Sequence, residues 1–176
     1  MKYVDRIIPA INKTSKVVIC MGLEEFYNYT SGDERHLFNE IADQLEELGY
    51  KSKRAKTKDV NYVFTNSKTP KNVLKFSIEK GKPILKMKFF ASSDYSDFFH
   101  ECIRKTVEEF NFRYTGCYNC GRCKDKLEGY EYTYADGRKY FRCGTELISI
   151  YGISLSEVDE VIRLFKAQHE YYLSKR

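Results

Sequence analysis

The hydrophobic period of this chain changes at Gly49, and that change does most to restrict the folds open to it. Before it, Leu37, Ile41, Leu45 and Leu48 recur at helical spacing behind an acidic first turn, which predicts an amphipathic helix over 33–48 stopped by the glycine. After it, the runs 51–57, 60–66, 72–79 and 83–91 are short and extended, broken at Asp59, at 67–70 and at Lys80-Gly81. Such runs predict an antiparallel meander. A two-residue turn at Lys80-Gly81 puts Leu74, Phe76 and Ile78 on one face with Pro83, Leu85 and Met87, and Lys75, Lys82, Lys86 and Lys88 on the other. A second amphipathic helix is expected over 94–110, capped by Ser92 or Ser93, with Tyr95, Phe98, Phe99, Cys102, Ile103, Val107 and Phe110 as its apolar stripe. The capping box Ser154-Leu155-Ser156-Glu157 opens a last helix. The expected class is therefore α+β, an antiparallel sheet flanked by amphipathic helices. Residues 17–20 read equally as a buried strand or as the start of a helix reaching Tyr29.

Chemistry concentrates in the cysteines. Cys117, Cys120 and Cys123 follow one another with two residues between each, and Cys143 comes after nineteen intervening residues. Two cysteines separated by two residues, with a glycine next, suit a turn whose amides point at the sulfurs and whose thiolates converge on one ion. Over those five residues, Cys117 to Gly121, the chain resembles the knuckle of zinc ribbons and treble clefs, and the resemblance implies zinc chelation without any family function. Asp136-Gly137, read as a two-residue type I′ turn, pairs Tyr130 with Cys143 and Tyr132 with Phe141, so that Cys143 lies on an aromatic face with Tyr130, Tyr132, Tyr134 and Phe141. Four thiolates fill a tetrahedral zinc and leave no open position, which makes the expected site structural. An iron–sulfur cluster is the alternative cofactor, although the further cysteine and proline of the bacterial ferredoxin pattern are missing. Cys102, on its helix's apolar stripe, and Cys20, at the end of an apolar run, read as small core residues. The expected organisation is an α+β core over 1–110 and a zinc-stapled ββα unit over 111–176 packed on it, within one compact domain.

The net charge of +5 is unevenly distributed. Twelve basic residues between Lys51 and Lys88 face only Asp59 and Glu79, while 23–49 is acidic. Lys53, Arg54, Lys56, Lys75, Lys82, Lys86 and Lys88 are thus candidates for a nucleic-acid-binding face, interleaved with aromatic residues. Lysine supplies eleven of the twelve charges, however, and arginine is the residue suited to bidentate phosphate and base contacts. The fifteen tyrosines suit a half-wet binding surface. His36, His100 and His169 are isolated, and no P-loop, Rossmann fingerprint, serine elbow or zinc-protease helix occurs. Forty-two per cent hydrophobic residues argue for a packed globular chain. No run approaches the ~20 apolar residues of a membrane span, and 1–11 has no signal-peptide core, so a cytoplasmic protein is expected. The leading expectation is a non-enzymatic zinc-containing binding protein whose partner is a small molecule or a protein. A nucleic-acid-binding protein is the alternative, and an enzyme assembled from scattered residues comes third.

Overall fold

The computed structural model describes residues 22–123 and 126–175. Cys20 and the ambiguous run 17–20 lie outside them. The described chain is mixed helix and strand: α1 (Glu24–Tyr27), α2 (Gly32–Glu47), β1 (Lys51–Arg54), β2 (Asn61–Thr65), β3 (Leu74–Glu79), β4 (Lys82–Met87), α3 (Asp97–Glu108), β5 (Gly129–Thr133), β6 (Lys139–Cys143), β7 (Ile148–Ile150) and α4 (Val158–Ser174), the last preceded by a 3-10 turn over Leu155–Glu157.

The change of period at Gly49 marks a real boundary. Gly49 takes φ +80°, its N–H bonds Glu46 O, and the Tyr50 N–H reaches back to Leu45 O at 2.9 Å, which ends α2 in a Schellman motif. The meander follows as β1-β2-β3-β4, all neighbours antiparallel. Lys80 and Gly81 both adopt positive φ, and the register they set pairs Leu74 with Met87, Phe76 with Leu85 and Ile78 with Pro83, the pairing expected from a two-residue turn. Phe64 and Phe76 pack on that face with Phe38 of α2 and Phe26 of α1, ring centroids 4.7–5.2 Å apart. One contiguous core runs from Leu23 to Phe165 and takes in Tyr130 of β5 and Val161 of α4.

The second half departs from expectation in three respects. First, α3 begins at Asp97, with Ser96 as its N-cap, and ends at Glu108. Ser92 closes a short turn with Asp94 instead of capping the helix. Beyond Glu108 the residues Phe110, Asn111 and Phe112 all take left-handed φ, 52–62°. That conformation costs a non-glycine residue about 1–2 kcal/mol. It turns Phe110 off the apolar stripe, leaving its ring 72% exposed.

Second, the hairpin of β5 and β6 is offset by one residue: Gly129 pairs with Cys143, Glu131 with Phe141 and Tyr132 with Tyr140. Tyr134 and Arg138 close a three-residue loop by Tyr134 N to Arg138 O, 2.9 Å, with only Gly137 at positive φ. The Asp136 carboxylate accepts from the Arg138 N–H at 3.0 Å and the Arg138 Nε at 2.7 Å, which holds this wider turn. Because side chains alternate, one residue of offset moves Cys143 and Phe141 to the face of Glu131, away from Tyr130, Tyr132 and Tyr134.

Third, the hairpin is followed by β7, which pairs antiparallel with β4 and completes a five-stranded sheet. The hairpin packs on α3 and α4 packs on α2, which joins these elements to the main core.

Candidate metal centre

The cysteine loop is pinned before its first cysteine. Gly116, at φ +93°, bridges to Arg142 and donates its N–H to Phe141 O at 2.6 Å, which lays the start of the loop along β6. Cys117 and Cys123 are half-buried, Cys120 is exposed and Cys143 is buried. All four are free thiols.

Three of the four sulfurs already receive hydrogen bonds. Asn119 N donates to Cys117 Sγ, Glu128 N to Cys123 Sγ and Thr145 Oγ1 to Cys143 Sγ, each at 3.4 Å. Asn119 and Gly121 take φ +49° and +71°, the sharp turn that the glycine after Cys120 leads one to expect. Burial alone would raise the Cys143 thiol, but bonds from the Thr145 hydroxyl and amide, the Tyr118 amide and Cys120 hold it below its ordinary value.

Lys88 and Arg122 complete the electrostatics. The Lys88 side chain is buried at 4% exposure, and its ammonium is lowered by that burial and by Arg122, against the opposing pull of Glu146, Cys143 and Cys120. Sequence reasoning assigned Lys88 to an open basic face. The contribution of Thr145 was also missed, although the small, polar run Gly144-Thr145 after the last cysteine was its available signal. Among the described residues no set of three or more His, Cys, Asp or Glu side chains converges as metal ligands. The donor chemistry fits a thiolate-bound ion, with free thiols, amides and a hydroxyl on sulfur, and two cations beside them.

No protein-family model, curated protein or solved structure matches this chain. The residues and their chemistry are therefore what bears on function.

The sheet's back face carries fewer free cations than its composition implies. Lys53, Val63, Lys75, Lys86 and Ser149 form one row across it. Lys86 is ion-paired with Glu79, whose carboxylate also accepts from the Tyr151 hydroxyl at 3.1 Å. Lys75 is half-buried, and burial lowers its ammonium, followed by the nearby Lys86. Arg54 lies toward the core side, bound to Glu25 at 2.7 Å and to the carbonyls of Ala55, Thr57 and Asp59. Lys53, Lys56 and Lys82 remain exposed.

Other candidates are engaged in structure. Cys102 is buried and its thiol is pushed up to about 11 by that burial, as suits a core residue. His169 Nδ1 meets the Tyr50 hydroxyl at 3.1 Å in the core, while His36 and His100 are exposed. A cleft of about 200 Å³ between α2 and α4 is lined by Ile41, Leu45, Val161 and Phe165, without a tyrosine. The aromatic surface lies elsewhere, around α3's end and the cysteine loop. Phe112 stacks on Tyr140 at 4.5 Å, Tyr134 donates to Glu108 at 2.7 Å, and Phe110 meets Tyr114 edge-on at 5.3 Å.

Proposed function

We propose that this is a non-enzymatic binding protein in which Cys117, Cys120, Cys123 and Cys143 hold a structural zinc ion and the adjacent exposed aromatic surface meets the ligand. The observation that carries the reading is the hydrogen bonding of the cysteine sulfurs, with backbone amides directed at Cys117 and Cys123 and the Thr145 hydroxyl at Cys143. Such donors stabilise thiolates before any ion arrives. With four protein thiolates the ion has no open coordination position, so its contribution is to fold the loop. The segment between Asn111 and Glu128 has few buried apolar side chains to order it otherwise.

Elemental analysis of purified protein should find about one zinc per chain, colourless, and each of the four Cys→Ser replacements should weaken or release it. The Cys20→Ser and Cys102→Ser variants should retain their metal. Iron with acid-labile sulfide and a brown absorbance would replace zinc by a cluster. Equal stability of native protein with and without chelator, with all four thiols titrating freely, would end the metal reading.

A further inference from the structure

The left-handed turn after α3 puts a strongly apolar ring into solvent and builds a surface around it. Phe110 is 72% exposed, and Tyr114 and Tyr118 are each 39% exposed. The three are tied together: Phe110 lies edge-on to Tyr114 at 5.3 Å, and the Tyr118 hydroxyl donates to Tyr114 O at 3.0 Å. Two guanidinium groups attend the same ring, Arg113 at 5.7 Å and Arg142 at 5.6 Å from the Tyr114 centroid. Arg142 is the unusual one. Its side chain is only 6% exposed, one Nη donates to Tyr114 O at 3.1 Å, the other is 3.6 Å from Glu109, and its buried Nε has no partner.

The charge around these rings favours an anionic partner. By sequence, 110–127 carries Arg113, Arg122, Lys124 and Lys126 against the single acid Asp125. Of the nearby carboxylates, Glu108 is held by Arg104 and the Tyr134 hydroxyl and Glu109 by Arg142, while Glu146 lies within electrostatic range of Tyr118. Four of the chain's ten arginines fall between 113 and 142, whereas the lysine-rich sheet has one. Exposed tyrosine and phenylalanine rings with arginine beside them match the chemistry of unstacked bases and their phosphates: every base has a π-face, and arginine both stacks and binds phosphate in bidentate fashion.

Building on the reading of the aromatic surface as the ligand-binding face, we propose that Phe110, Tyr114 and Tyr118, with Arg113 and Arg142, form a stacking site for single-stranded nucleic acid. Two or three bases stack on the rings while Arg113 meets a phosphate. The sheet's lysines take no direct part. The duplex, whose bases are already stacked, binds only through its charge and therefore more weakly.

Fluorescence anisotropy with labelled oligouridine, oligothymidine and a duplex of the same length, from about 50 to about 200 mM salt, tests this. Single strands should bind more tightly than duplex, Tyr114→Ala and Tyr118→Ala should each weaken binding about tenfold, and Arg113→Ala should lower the salt slope by about one. Phe110→Gly is the decisive variant, because it removes the ring at a position whose backbone glycine accepts without strain: melting temperature should hold or rise while affinity falls about tenfold. The triple variant Lys53→Ala, Lys75→Ala, Lys86→Ala should keep its preference for single strands. Absence of saturable single-strand binding at low salt overturns the proposal. Loss of binding confined to the lysine triple, with the ring variants unaffected, overturns it as well. Zinc content measured on the same samples separates the two readings, since zinc-loaded protein that ignores single strands sinks only the stacking site, and metal-free protein that binds them sinks only the zinc.

Discussion

A lysine with 4% exposure needs a reason to be inside, and the anions acting on Lys88 are Glu146, Cys143 and Cys120, with Arg122 opposing them. Four thiolates around a divalent ion leave two negative charges, and Lys88 and Arg122 are two cations adjacent to them. Without such anions a buried ammonium is costly, and replacing it by an apolar chain of similar length is neutral or stabilising. Lys88→Met should therefore split two measurements: zinc affinity, read by chelator competition, should fall roughly tenfold to a hundredfold, while the chelated protein should unfold at an equal or higher denaturant concentration. An unchanged zinc affinity would separate Lys88 from the metal. Periodicity put this residue on the correct side of the sheet but gave no hint of what covers it. That cover is long-range: the loop after Cys117 arrives there because Gly116 is bonded to Phe141, a contact no local pattern encodes.

Elements were legible where their signals were local and redundant. Helix α2 carries apolar spacing, an acidic first turn and a glycine stop, and the β3–β4 hairpin carries alternation together with a two-residue turn at positive φ. The β5–β6 hairpin had an ambiguous turn. Asp-Gly serves either a two-residue loop or a longer one, and the bonds of Asp136 to Arg138 decide for the longer, which moves every pair by one. Gly137 is still indispensable to that loop at φ +85°. Gly137→Val should destabilise the protein by about 1–2 kcal/mol in denaturant titration, and no loss would mean that the turn relaxes freely. At the start of α4, the Glu157 carboxylate accepts from the Ser154 N–H at 2.8 Å and its hydroxyl at 2.6 Å. Bonds from the Ser154 and Ser156 hydroxyls hold it below its ordinary 4.5. A depressed folded-state value contributes stability above the ordinary one and loses it as pH falls through the folded one. The stability gap between the wild type and Glu157→Gln should thus be present at neutral pH and close as the pH falls below the ordinary 4.5 and through the lowered folded-state value, with a pH-independent gap contradicting the cap.

At the scale of the whole molecule, α+β and the antiparallel meander were readable, and the strand that joins the C-terminal half to the sheet was not. Strand β7 is Ile148-Ser149-Ile150, too short to announce itself by alternation, and it exists because the open edge of β4 pairs with it. The exposed ring of Phe110 was equally hidden, since helical spacing placed it on an apolar stripe that the backbone leaves two residues earlier. The sheet's strand order also carries a schedule. During synthesis β4 is finished at Met87, and its edge stays open until β7 appears sixty residues later, after 88–147 have been made. At about 5–20 residues per second that is roughly 3 to 12 seconds during which a nascent chain presents a bare strand edge to the polysomes and chaperones around it. Lys82 and Lys86 lie on that strand, and charge on an open edge is what discourages pairing with a stranger. The whole cysteine loop is made within the same interval, so the last edge of the sheet closes only after all four thiols of the candidate metal centre have been synthesised.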